Sequence, residues 1–140
     1  MSRWALGAVL ALLAVSPSRA ASYEVKLSTT SAGIEKKDPF SCYQDKVYAF
    51  LTLPQKIKGN HVLEGKWFKP DHALQEDTKI PLDLSDPRDS FFLWLEFHVV
   101  DDAVDMFLAR PLDDFNGDWT LVLYLDGKEA AQKRFSVRCG

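Results

Sequence analysis

The chain is predicted to be all-β: an antiparallel β-sandwich of about seven strands with immunoglobulin-like architecture. Three observations carry that expectation. Apolar residues recur with period two from end to end, which matches the alternating faces of half-buried strands. Turn-forming residues separate the alternating runs at short intervals. Two cysteines, Cys42 and Cys139, stand far apart in a chain that begins with an export-like segment.

The elements follow in order. "SYEVKLST" alternates Tyr23, Val25 and Leu27 with polar neighbours. "DKVYAFLTLP" sets Val47, Ala49, Leu51 and Leu53 on one face and Tyr48 and Phe50 on the other, and Pro54 ends the run. "QKIKGN" reads as a turn. "HVLEGKWFKP" then places Leu63, Gly65 and Trp67 opposite Val62, Glu64, Lys66 and Phe68. Residues 71–90 are polar and loop-like, with "KIPLDL" as a short edge strand. "FFLWLEFHVV" is apolar on both faces, as expected of a strand covered on two sides. "DDAVDMFLARP" fits one helical turn or a short strand, and strand is the reading adopted. Finally, "DWTLVLYLDGKEAAQKRFSV" reads as a hairpin. Trp119, Leu121, Leu123 and Leu125 share a face, Asp126-Gly127 supplies the positive-φ turn, and Phe135 and Val137 lie on the return strand.

The N-terminus has the organisation of a signal peptide over residues 1–20. Arg3 precedes the apolar run "WALGAVLALLAV", and "SRA" follows as a small-x-small cleavage site. That run is shorter than the roughly 20 apolar residues a membrane helix needs. Residues 21–140 are then one domain, exported to the periplasm or beyond the cell. Removal of Arg3 and Arg19 leaves 15 basic against 20 acidic residues, a net charge of −5. That balance opposes binding to nucleic acid or to an anionic membrane surface. In an oxidising compartment Cys42 and Cys139 are expected to form a disulfide, and no CxxC pair suggests thiol-redox chemistry. If the second and last of seven strands run antiparallel, with Cys42 opening one and Cys139 closing the other, both cysteines reach the same end of the sandwich.

Catalytic and metal-ligating patterns are thin. Asp114, Asn116 and Asp118 have the one-three-five spacing of a calcium loop, but Trp119 occupies the glycine position and Leu125 the closing glutamate position. The entry to a hairpin explains those residues better. His61, His72 and His98 share no ligand spacing; a site joining His61 and His98 across two strands is the remaining metal alternative. Asp101-Asp102 and Asp113-Asp114 read as solvated turn residues rather than catalytic carboxylates. GxSxG, HExxH and phosphate-cradling glycine loops are all missing, so neither an enzyme nor a cofactor is expected.

Alternation in "FFLWLEF" sends Phe91, Leu93, Leu95 and Phe97 to one side and Phe92 and Trp94 to the other. The first set builds the core. The second is either covered by the 71–90 stretch, the reading favoured at this point, or forms an exposed binding patch.

"GNHVLEGKWFKPD" and, later, "FNGDWTLVLYLDGKEAAQKRFSV" resemble bacterial secreted domains of immunoglobulin-like or fibronectin-III-like fold. The matching positions are Trp67, Pro70, Gly117, Trp119, Asp126, Gly127, Phe135 and Val137. The Cys42 and Cys139 pair departs from that pattern. The resemblance implies a fold and carries no catalytic residues, because this architecture hosts many unrelated roles. The resulting expectation is a binding or assembly module that recognises an unidentified exported or envelope protein, through edge-strand pairing or an aromatic patch at Phe92 and Trp94. A structural accessory domain without a ligand is the alternative.

Overall fold

A computed structural model describes residues 23–43, 46–97 and 115–139. The signal-peptide reading, "DDAVDMFLARP", His98 and the aspartates at 101, 102, 113 and 114 fall outside those residues. Six strands are described: β1 (Glu24–Ser28), β2 (Phe40–Ser41), β3 (Lys46–Phe68), β4 (Leu74–Glu96), β5 (Gly117–Leu125) and β6 (Lys128–Arg138).

Hydrogen bonding arranges these strands in two layers. In the first, residues 46–52 of β3 lie between β1 and residues 90–96 of β4, both antiparallel to it. In the second, the later half of β3 pairs with the early half of β4 on one side and with β5 on the other. β5 continues to β6, and β2 closes the edge by running parallel to β6. The fold is thus an antiparallel β-sandwich with one short parallel pair.

The sequence reading divides β3 into two strands at Pro54 and "QKIKGN", and treats 71–90 as a loop. The structure corrects both points. β3 and β4 are each 23 residues long and pass from one layer into the other. Register shifts between Thr52 and Ile57 and between Ile57 and Gly59 mark the bend. Pro54 lies within this irregular stretch, where a missing N–H need not break a regular ladder. Gly59 takes φ of 92° there, a left-handed conformation that favours glycine. The 71–90 stretch is polar because β4 is an edge strand, paired only with β3 among the described residues. Charges such as Asp77, Lys79 and Asp83 blunt an edge of that kind, while Ile80 and Leu82 still pack against the core.

The turns agree with their chemistry. Asp126 and Gly127 have φ of 54° and 83°, the two positive values that a two-residue hairpin needs. The β3–β4 connection closes through the Lys69 N–H to the Ala73 carbonyl at 2.9 Å and the His72 N–H to the Lys69 carbonyl at 2.8 Å.

Alternation fills the space between layers. Val47, Ala49, Leu51, Leu93 and Leu95 from the first layer, and Leu63, Trp67, Trp119, Leu121, Leu123, Phe135 and Val137 from the second, are all buried. At Gly65 the layers approach closely. A Cβ there would stand 2.8 Å from Leu93 Cδ2, 3.1 Å from Leu93 Cδ1 and 3.4 Å from a Leu123 methyl. Leu93 is itself fully buried, so it has little room to yield. Gly65→Ala is therefore expected to destabilise the fold by about 1–3 kcal/mol, the usual cost of overpacking. Paired with Leu93→Ala, it should cost less than the sum of the two single changes. Urea denaturation of the three variants checks this, and strict additivity would refute the contact.

The Cys42–Cys139 disulfide is present, with Cα atoms 5.2 Å apart. Its placement differs from the expected one. Cys42 follows β2 rather than opening the next strand, and β2 runs parallel to β6, so both cysteines leave the ends of neighbouring parallel strands. The Cys42 N–H donates to the Arg138 carbonyl at 3.3 Å, and the Cys139 N–H to Asn116 Oδ1 at 2.7 Å.

Candidate functional site

The first layer turns one face to the core and the other outward. Cross-strand partners in an antiparallel pair point to the same side, so the register fixes the residues of the outward face. Four rows cross it: Lys46 with Glu96, then Ser28 with Tyr48 and Trp94, then Lys26 with Phe50 and Phe92, then Glu24 with Thr52 and Ser90. The two middle rows bring together four aromatic side chains. Phe50 and Phe92 stack with ring centroids 5.2 Å apart, Tyr48 lies 5.9 Å from both Phe92 and Trp94, and Phe92 lies 6.1 Å from Trp94. Lysines border the cluster: Lys46 Nζ sits 5.4 Å from the Trp94 ring centre and Lys26 Nζ 6.0 Å from that of Phe50.

Phe92 and Trp94 remain 38% and 40% exposed. Cover by the 71–90 stretch is ruled out, because those residues continue β4 within the sheet and cannot fold over its face. At one margin Gly33 brings its loop against Phe50, where an added Cβ would lie 3.4 Å from the ring. Ile34, next in the chain, is 73% exposed. At another margin an open hollow of about 420 Å³ is bounded by Phe50, Phe92, Lys56, Arg88 and Asp89.

Sequence reasoning names Phe92 and Trp94 but leaves out Tyr48 and Phe50. Alternation already sends the latter two outward. What period two cannot give is the register that sets Tyr48 beside Trp94 and Phe50 beside Phe92.

The other candidates separate. Asp118 lies 3.9 Å from Arg134, and Asn116 holds the Cys139 N–H, so both have structural partners. His72 occupies the β3–β4 turn at φ of 72°. No group of three histidine, cysteine or acidic residues gathers among the described residues.

His61 has a different role. Its Nδ1 lies 2.6 Å from Asp126 Oδ2 and its Nε2 lies 2.9 Å from the Lys58 carbonyl. The other carboxylate oxygen accepts the Val62 N–H at 2.8 Å, and the Asp126 N–H donates to the Val62 carbonyl at 2.8 Å. This clasp fastens the β5–β6 turn to β3. Both ring nitrogens face acceptors, and only the imidazolium can donate to both. The Asp126 hydrogen bond, followed by the Lys58 carbonyl, raises the His61 pKa above 6.5, and His61 in turn lowers that of Asp126 below 3.8.

The pH dependence follows from those directions. A raised histidine pKa gives stability that is complete below 6.5 and lost as pH climbs through the folded value. A depressed aspartate pKa gives stability complete above 3.8 and lost as pH falls through its folded value. The clasp is thus strongest between these limits and loosens on the alkaline side. An NMR titration of His61 is expected to show a midpoint above the ordinary value, returning toward it in Asp126→Asn. An unchanged midpoint in that variant would show that the carboxylate does not hold the proton.

No protein-family model matches the chain, and no curated protein matches it. Among solved structures it is similar to an immunoglobulin-like protein from Pseudomonas aeruginosa. That match has 15% identity over 85% of this chain and 95% of the other, with a TM-score of 0.49. It is also similar to part of a candidate beta-galactosidase from Bacteroides fragilis, at 12% identity over 81% of this chain and 15% of that one, with a TM-score of 0.40.

Proposed function

We propose that the chain is an exported, non-catalytic binding or assembly module that recognises another exported protein through the outward face of its first layer. The observation that carries this reading is the aromatic cluster of Tyr48, Phe50, Phe92 and Trp94, left partly exposed on the outward sheet face with charged residues at both ends. Large aromatics in the centre of a patch with a polar rim are the usual composition of a protein interface. The disulfide supports an oxidising compartment, and the apolar N-terminal segment supports export.

Capture from the native exported fraction tests the reading. Wild type is compared with Phe92→Ala/Trp94→Ala, and with Lys128→Ala on the distant β5–β6 hairpin as a control. Retention by wild type and the control, with loss in the aromatic variant at unchanged circular dichroism, supports recognition through this face. Equal capture by all three places recognition elsewhere. No capture by any of them would favour an accessory domain without its own ligand.

A further inference from the structure

We propose that the seam between the layers on the β1–β6 side binds a small oxyanion group, a phosphate, sulfate or carboxylate, through Lys36, Lys133 and the Arg134 backbone N–H. The site is separate from the aromatic face and does not depend on the role proposed for it.

Hydrogen bonds fix the seam at both ends. At one end the Tyr23 N–H, just before β1, donates to the Ala130 carbonyl of β6 at 3.0 Å. Toward the other, the Ser136 N–H of β6 donates to Asp38 Oδ1 at 3.0 Å. Residues 35–38 cross between the two layers, tied to β1 by the Lys36 N–H donating to the Leu27 carbonyl at 2.9 Å. A hollow of about 200 Å³ remains there, with the buried Leu27 and Phe40 in its wall beside Lys36, Lys37, Lys133 and Arg134. Sites for drug-sized molecules run to roughly 300–1,000 Å³, so this one suits a smaller group.

Lys133 is not an ordinary surface lysine. Its cross-strand partner is Leu121, and such partners share a face. Leu121 is fully buried, and so are Ala131 and Phe135, two residues to either side of Lys133 on β6. Period two therefore sends this ammonium to the core side of the strand, where Lys133 is half-buried. Lys36 is half-buried as well. Its Nζ stands 5.4 Å from the Phe40 ring centre and donates to the Lys37 carbonyl at 3.2 Å. Two ammonium groups partly removed from water line one small hollow, an arrangement that an anion relieves. Glu35 and Asp38 also line it, leaving four basic against two acidic residues, a surplus of two positive charges. Asp38 is engaged by the Ser136 N–H, and neither carboxylate is ion-paired to a lysine or arginine among the described residues.

The backbone adds a donor. The Ser136 N–H and the Arg138 carbonyl, which accepts from the Cys42 N–H, both face away from β5. Backbone groups alternate sides along a strand, so the Arg134 N–H faces the same way, along the stretch of edge that the two-residue β2 does not reach. An oxyanion can accept from this N–H and from both ammonium groups. An inward lysine also guards an open sheet edge against pairing with another strand. That role accounts for neither Lys36 nor the Arg134 N–H.

Amide chemical-shift titrations with sodium phosphate, sulfate and acetate, to about 20 mM, cover the millimolar range in which a few charge-assisted hydrogen bonds place such a site. A matching sodium chloride titration is the control. Wild type should show saturable shifts at the amides of Lys36, Lys37 and Arg134 with at least one of the three oxyanions. Lys133→Met and Lys36→Met should each weaken binding about tenfold or more, as expected for the loss of one charge-assisted hydrogen bond, and Lys128→Met on the hairpin should bind as wild type. Lys133→Met places an apolar side chain on a core face and Lys36 lies outside the strands, so the two variants do not share a folding risk. Glucose 6-phosphate separates the sources: tighter binding than inorganic phosphate assigns a group carried on a larger molecule, and weaker binding assigns the free ion. The absence of a saturable shift with all three oxyanions overturns the inference. So do shifts that sodium chloride reproduces, which are screening alone, or binding that survives both lysine changes. Self-association of Lys133→Met with the anion shifts intact would assign that lysine to guarding the edge and overturn its role in the site.

Discussion

Replacing both cysteines, as Cys42→Ala/Cys139→Ala, is expected to lower the stability of the fold by about 4 to 5 kcal/mol. The cysteines are 97 residues apart in sequence. In the chain-entropy account, a bridge closing a loop of that length removes much of the freedom of the unfolded chain. Domains of this size are stable by only about 5–15 kcal/mol in total, so the loss would take a large share of the margin. The loss should also have a local component. β2 is two residues long and rests on β6 through a short parallel pairing. With the bridge gone, Phe40 is held in the core by that short pairing, its edge-to-face contact with Phe135 at 5.7 Å and its other packing, including Lys36 Nζ 5.4 Å from its ring. Guanidinium unfolding gives the global term, and exchange of the backbone amide at position 42, which donates to the Arg138 carbonyl, gives the local one. A loss below about 1 kcal/mol would mean that the unfolded chain is already compact without the bridge.

Most of the core was legible in the sequence because strand alternation needs no knowledge of partners. Leu63, Trp67, Trp119, Phe135 and the inward half of "FFLWLEF" are all buried as the period-two pattern requires. The Asp126-Gly127 turn was legible for a similarly local reason, since few dipeptides accept two positive φ values. Continuity was harder to read. Pro54 and Gly59 look like strand ends one residue at a time, yet a bulge absorbs both and β3 continues to Phe68. The polarity of 71–90 misled in the same way, because an edge strand and a loop share a polar composition. The parallel placement of β2 against β6 rests on two residue pairs, too short a run for any periodic signal.

The candidate site divides along the same line. Phe92 and Trp94 declared themselves because an apolar run cannot point all its side chains inward. The cluster they belong to depends on β3–β4 register, which side-chain period alone leaves open. The His61–Asp126 clasp was illegible for a stronger reason, as its members are 65 residues apart and meet only because β5 lies beside β3. Edge-strand pairing along β4, the other recognition mode read from sequence, gains less from the structure than the aromatic face does. Pro81 and Pro87 lack N–H groups, and Asp77, Lys79 and Asp83 charge the strand.

Trp119→Ala is expected to cost about 3–5 kcal/mol, in the range found for emptying a large aromatic site. Trp119 is fully buried and packs against three rings, with centroids at 5.4 Å from Phe97, 6.0 Å from Phe115 and 6.1 Å from Phe135. Its indole N–H also donates to the Phe115 carbonyl at 2.8 Å. That bond ties the residue just before β5 to the strand itself, so truncation opens a cavity and releases the entry to the β5–β6 hairpin together. The conservative change separates the two effects. Trp119→Phe keeps most of the ring contact but leaves the Phe115 carbonyl without its donor, a penalty of about 1–3 kcal/mol for a buried group. Trp67 is a matched control: equally buried, packed 6.0 Å from Phe135, with an indole N–H that has no acceptor among the described residues. Trp67→Phe removes a similar volume without breaking a hydrogen bond, and relieves a buried unpaired donor. Trp119→Phe should therefore be the more damaging substitution by about 1 kcal/mol or more. Thermal or denaturant unfolding of the two variants decides it, and equal losses would mean that packing alone fixes the cost at both sites.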